Sequence, residues 1–271
     1  MNEVICLSNE ELRRLQMIEL ELLIEADRIC RKCNIHYNII AGTLLGAVRH
    51  GGFIPWDDDA DIALLRSEYE RFREACKTEL NHEKYYFQDH TNTEGYRWGY
   101  GKLRKKGTLF LIKDREKMPY EQGVCIDVFP LDKVSDGKIG RNIDNFHCFC
   151  VRKVLWSEVG KSAEKNIFKR NIYQLINMIP VKSIFTYYEK MVKRFNNKKS
   201  RWVRILMFPT PNKEYGYRRE WYTKSAKIEF EGHKFVGIKN YDDYLTFKFG
   251  NYMKLPPKSQ RKGHPLTTLK L

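Results

Sequence analysis

Residues 36–65 constrain the fold more than any other stretch of the chain. HYNII, residues 36–40, is short and rich in β-formers, and AGTLLGAVRH, residues 41–50, follows with helical character. Gly51 and Gly52 stop that helix. Pro55 and Trp56 then lead into DDDADIALL, residues 57–65, whose second half reads as a buried strand. A strand, a glycine turn, a helix and a second strand in so short a span predict an α/β (α+β) fold.

The flanking sequence agrees. Ser8 and Glu11 form an S-x-x-E capping box, and Leu12, Leu15, Ile18, Leu22 and Ile29 carry a helical period to about Lys32. Ser67 and Glu70 repeat the box and predict a helix to about Leu80. Residues 85–90, 96–106 and 108–112 read as strands, with Gly107 as a turn, and VCIDVFPL (124–131) as an apolar strand closed by Pro130. Asp132 reads as a turn or cap residue. From about Lys138 to about Lys198 the pattern is helical, and LPP at 255–257 reads as a helix stop.

At 42% hydrophobic and 13% aromatic, the chain has the material for a packed core rather than for disorder. It contains no apolar run of membrane-spanning length, and its N-terminus lacks the pattern of a secretory signal. The seven cysteines are scattered, and the lone CxxC at Cys30 and Cys33 has no second pair at ligand spacing. Reduced thiols and a cytoplasmic location are therefore expected, with zinc discounted.

Charge divides the chain. Residues 1–135 carry 20 Lys+Arg against 23 Asp+Glu, and residues 136–271 carry 29 against 11. We read 1–135 as the catalytic core and 136–271 as a basic helical region and C-terminal segment completing the same domain. A basic excess confined to one half predicts an anionic partner. Residues 161–204, with twelve Lys+Arg against two Asp+Glu, combine it with an apolar helical pattern broken at Pro180. Two helices lying peripherally on an anionic membrane at its inner face would have this pattern. No nucleic-acid motif accompanies it, so nucleic acid is not expected as a partner.

The chemistry is predicted at the acids. Gly42 and Thr43 stand where a strand gives way to a helix, and a helix N-terminus suits a phosphate. Side chains alternate along a strand, so Asp59 and Asp61 share a face, joined by Asp57 if the strand starts early. Carboxylates so placed repel unless a cation lies between them, and hard oxygen donors suit Mg²⁺ or Mn²⁺. Asp127, inside an apolar strand, supplies a third carboxylate if that strand lies alongside. Two metals on three acids suit in-line phosphoryl displacement. Arg49, His50, Lys102 and Arg104 are the candidate phosphate ligands.

GTLLGAVRHGGFIPWDDDADI, with IDVFPLD at 126–132 and FEGHKFVGIKNYDDYLTFKFGNYMKLPP at 230–257, resembles in order the blocks of the LicD family, bacterial phosphocholine transferases related to the fukutin family. The resemblance implies a nucleotidyltransferase-like mixed sheet core with flanking helices, a glycine-serine-like turn at Gly42-Thr43, and metal-binding acids at Asp59, Asp61 and Asp127. It implies a CDP-linked donor, CDP-choline or its ribitol or glycerol counterpart, and as acceptor a hydroxyl of a glycan or lipid-linked glycan such as lipopolysaccharide or teichoic acid. The family's paired tail histidines are represented by His264 alone. Two rival readings use the same core: a nucleotidyltransferase that releases pyrophosphate from an NTP, and a non-catalytic membrane-surface module.

Overall fold

Ser8 starts the first helix, α1 (Asn9–Lys32), through a complete capping box. The Glu11 N–H donates to Ser8 Oγ at 3.2 Å, and the Ser8 N–H to Glu11 Oε2 at 2.8 Å. A computed structural model describes residues 3–271. After α1 come β1 (Asn38–Ile39), α2 (Ala41–His50), β2 (Asp61–Leu65), α3 (Arg66–Glu79), β3 (Tyr85–Gln88), β4 (Gly101–Lys105), β5 (Leu109–Ile112) and β6 (Cys125–Val134). The second half supplies α4 (Lys138–Ala163), α5 (Ile167–Ile176), α6 (Val181–Asn196), β7 (Trp202–Arg204), β8 (Tyr217–Arg218) and α7 (Arg219–Thr223). Then follow β9 (Ser225–Phe230), β10 (His233–Ile238), α8 (Tyr241–Phe249) and β11 (Leu266–Lys270).

The main sheet runs β3-β4-β6-β2-β1-β10-β9. β2 lies parallel to β6 and β1 parallel to β10, while the other neighbours are antiparallel, so the sheet is mixed as expected. Strands from the second half thus extend the sheet begun by the first. Ile62, Leu64, Leu103, Ile126 and Val128 alternate to one face and join Leu15, Leu22 and Phe72 of α1 and α3 in the core. A second apolar cluster, built from Val151, Leu155, Tyr188 and Phe195, joins α4 to α6. β5 leaves the main sheet and pairs with β11.

Several local expectations give way to tertiary contacts. Ser67 caps nothing: α3 begins a residue earlier, at Arg66. That arginine is held by Asp132, through Nε to Oδ1 and Nη2 to Oδ2, both at 2.7 Å. Asp132 is therefore a fully buried ion-pair partner within β6 rather than a turn residue. Pro130 does not close β6. The Asp127 N–H points to β2, so position 130 faces the other flank, in the gap where β4 pairing ends at Val128 and β7 pairing starts at Asp132. A residue lacking an N–H loses nothing there. The last helix, α8, stops at Gly250, with φ 69°, before the prolines are reached. Between α5 and α6 the break falls at Pro180, the N-cap of α6.

The helical region is unusually apolar outside. Ile139, Ile143, Phe146 and Phe149 of α4 and Phe168, Ile172 and Leu175 of α5 are exposed, each set at helical spacing. Among the described residues, no helix is long and apolar enough to cross a membrane.

Candidate active site

β2 and β6 run in parallel register with Asp61 opposite Asp127, and β4 sets Lys102 opposite Asp127 on its other side. In-register neighbours project to the same face, so Asp61, Asp127 and Lys102 form a row across three strands. Cys125, Phe129, Arg104 and Tyr100 follow on that face by alternation. It forms one wall of a cavity of about 330 Å³.

Asp59 reaches this row by a route other than the expected one. β2 begins at Asp61, and Asp57, Asp58 and Asp59 lie in the connection before it. Gln16 of α1 holds that connection, its Nε2 donating to the Asp57 carbonyl at 2.9 Å. Oxygens of the three carboxylates lie within 4.8 Å of one another. Burial raises the Asp57 carboxyl to about 8, helped by the charges of Asp59 and Asp58. Burial, then Asp59, Asp127 and Asp57, push Asp61 well above the carboxylate range. Burial likewise raises Asp59, with His264 pulling the other way. Carboxylates crowded at this cost could hold a divalent cation, for which oxygen donors are suited.

Lys102 ion-pairs with Asp127. Burial acts to lower its pKa, but Asp127 together with Cys125 and Tyr100 outweighs that and raises it. The sequence pattern left Asp127 without a partner because Lys102 lies on another strand.

Gly42 and Thr43 sit in the first turn of α2 and do not line the cavity. Gly42 instead admits the Asp57 carboxylate: a Cβ there would lie 2.6 Å from Oδ2. Thr43 Oγ1 accepts from the Asp61 N–H at 2.8 Å. Both position acids. Arg104 lines the cavity, but its guanidinium is occupied by Gln88, at 2.7 Å from Nε, and by the Gly123 carbonyl. Arg49 and His50 are not among the residues that line the cavity. They end α2, a ten-residue helix whose other end, Ala41, meets the cavity. A helix of that length spans about 15 Å. Arg49 donates to the Tyr252 carbonyl at 2.6 Å, and His50 packs edge-on against Trp56.

Two groups, Lys248 and Glu19, escaped the sequence reading, and His264 was named there without a role. His264 is within the cavity wall, with its N–H donating to Asp58 Oδ2 at 2.7 Å and its Nδ1 2.9 Å from Oδ1. The β5–β11 ribbon carries the tail there. Burial would lower the His264 pKa, but Asp58 overcomes this and raises it. Lys248 of α8 also lines the cavity, its pKa lowered by burial against the pull of Asp61. Glu19 of α1 is buried with Oε2 unpaired, and burial together with Asp59 and Asp58 raises its carboxyl strongly. Its signal was a carboxylate on the apolar stripe of α1, between Leu15 and Leu22.

Residues 34–153, which span the acids, Lys102 and Asp127, match the family described as LicD/FKTN/FKRP, nucleotidyltransferase domain. The chain is 27% identical over 267 residues to the lipopolysaccharide cholinephosphotransferase LicD of Haemophilus influenzae, covering 93% of this chain and 95% of that protein. It is also 37% identical over 76 residues to an uncharacterized protein of Rickettsia typhi, covering 26% of this chain and 25% of that one. The family resemblance read from the motifs is borne out: residues 34–153 match the family's nucleotidyltransferase-domain model, and the chain is similar along nearly its whole length to a LicD protein.

Proposed function

We propose that this chain is a divalent-metal-dependent phosphotransferase that moves phosphocholine from CDP-choline to a hydroxyl of a cell-surface glycan precursor. The observation that carries the reading is the row Asp61–Asp127–Lys102 beside Asp57 and Asp59, in a chain similar along nearly its whole length to a cholinephosphotransferase. Asp57, Asp59, Asp61 and Asp127 would hold Mg²⁺ or Mn²⁺, which when bound neutralises diphosphate charge and stabilises the leaving cytidine monophosphate. Asp58, already engaged by His264, orients the connection that carries its neighbours. Lys102 and Lys248 supply positive charge for the phosphates. Asp127 Oδ accepts the proton of the incoming hydroxyl, its carboxylate held by Lys102. Tyr100, Phe129, Phe208 and Tyr217 offer ring faces for a quaternary ammonium, which can form no hydrogen bond.

The test is turnover of CDP-choline with Mg²⁺ or Mn²⁺, followed as cytidine monophosphate release, in Asp59→Asn, Asp61→Asn and Asp127→Asn. Folded variants should lose activity by roughly 10²-fold or more, as removal of a transition-state charge stabiliser does. Near-native turnover in any of them sinks that residue's assignment. CDP-ribitol, CDP-glycerol and CTP belong in the same screen, because pyrophosphate release from CTP would favour a nucleotidyltransferase instead.

The exposed apolar stripes of α4 and α5, set in the basic half of the chain, support peripheral contact with an anionic membrane carrying a lipid-linked acceptor. Apolar side chains would enter the headgroup boundary while Lys and Arg meet anionic lipid, each basic residue contributing roughly 1 kcal/mol. Binding to phosphatidylglycerol vesicles that weakens with Phe146→Ser and Phe168→Ser supports it. Absence of binding at low salt refutes it.

A further inference from the structure

A second cavity, of about 300 Å³, shares Trp98, Tyr100, Arg115 and Phe208 with the acid-lined one. Its remaining wall brings Arg97, Arg152, Lys153 and Trp156, so four cations line it and no carboxylate does. Glu158 approaches Arg97 at 3.5 Å but also serves Lys161 at 2.8 Å. Arg115, Arg152 and Lys153 form no ion pair among the described residues. Arg152 donates to the Leu206 carbonyl at 3.2 Å, and its pKa is lowered by burial and by neighbouring Arg204. Arg204 is itself fully buried, with Nε unpaired. Packing Arg152 beside Arg204 is costly even with Asp144 acting on Arg204, and an anion would offset that cost. The two indoles, with ring centroids 6.0 Å apart, line the cavity, and Arg115 lies over both, at 4.9 and 5.3 Å.

We propose that this cavity is the acceptor subsite and that it takes an anionic sugar, whose phosphate or carboxylate is gripped by Arg152, Arg115 and Lys153 while its ring packs on the indoles. A guanidinium fork matches either anion, and an indole face suits the apolar side of a pyranose. Calling it the acceptor subsite rests on the transfer reading above, but anion binding there does not.

The test uses the full-length protein in EDTA without any CDP compound, at fixed low salt. Calorimetry compares glucose 6-phosphate, glucuronate, inorganic phosphate and glucose. At least one sugar anion should bind, more tightly than inorganic phosphate, with no binding of glucose. Arg152→Gln should weaken it roughly tenfold or more, the loss expected for one charge-assisted hydrogen bond. Arg152→Lys, which keeps the charge but loses the fork, should weaken it less than Arg152→Gln does. Lys153→Gln, at an exposed position, gives a second variant if the first fails to fold. Tighter binding of glucose 6-phosphate or of glucuronate distinguishes a phosphate from a carboxylate acceptor. The proposal is overturned if neither sugar anion binds, if glucose or inorganic phosphate binds as tightly, or if folded variants bind as the wild type does. Because metal and donor are absent, a chain inactive on CDP-choline would still report here, and an active chain without anion binding would overturn this proposal alone.

Discussion

Gly42→Ala should separate stability from activity. The added Cβ would lie 2.6 Å from Asp57 Oδ2 and 3.7 Å from Cγ. To regain ordinary contact near 3.4 Å, the carboxylate must retreat by roughly 0.8 Å. It can turn about its own side-chain bonds, so the backbone has no need to move. Position 42 lies in the first turn of α2, and its φ is not in the left-handed region. Alanine is the better helix residue there, by at most about 1 kcal/mol. Folding stability should thus hold or rise slightly. The proposed metal ligand is nevertheless displaced by nearly an ångström, a misplacement that can cost about 10²-fold in rate. Mn²⁺ titration calorimetry and cytidine monophosphate release, beside a urea denaturation curve, measure all three quantities. A folded Gly42→Ala that binds Mn²⁺ and turns over like wild type would show that Asp57 need not stand where it does, and would refute the reasoning.

Two other perturbations follow from the geometry. Arg66→Met leaves Asp132, fully buried, with only the 2.7 Å bond from Asn196 Nδ2; stability measured in urea should fall by about 3–5 kcal/mol, and adding Asp132→Leu should recover much of it. Asp57, raised to about 8, retains a proton in the folded state that the unfolded chain gives up near 3.8. Its contribution is therefore present at low pH and lost as pH rises through that window, and the raised pKa of His264 acts in the same direction. The metal-free protein should be less stable at pH 8 than at pH 6, by roughly 2 kcal/mol for one proton at about 1.4 kcal/mol per pH unit. Mn²⁺ should reverse the trend, and a metal-free stability that rises over this range would count against the crowded acids.

Elements set by neighbours in sequence were legible from the sequence. The Ser8–Glu11 box closes within four residues, and Gly51, at φ 71°, ends α2 where the paired glycines predict. The acids stood out because four aspartates before an apolar strand are hard to place without a purpose. Asp127 stood out as a carboxylate among apolar residues, and the parallel pairing of β2 with β6 brings it to Asp61. Lys102 and Arg104 were found by alternation, which fixes the face of a strand but not which side chain stays free. Lys102 reaches Asp127 in the row, whereas Arg104 is tied to Gln88.

What tertiary structure alone decided has one physical source: groups distant along the chain competed for the same partner. Arg66, in the first turn of α3, meets Asp132 while Ser67 makes no cap, since leaving the buried Asp132 unpaired would cost more than an exposed box contributes. His264 meets Asp58 across 206 positions because β11 finds β5, a pairing that no local pattern encodes. Arg49 and His50, inside the signature in sequence, stand at the end of α2 and outside the cavity lining. Helical periodicity likewise announced apolar faces on α5 and α6 but not whether anything covers them: that of α6 is buried against α4, and that of α5 is exposed. Local energies determine where elements start and stop, while burial and charge compensation, which act across the whole molecule, decide which side chains meet.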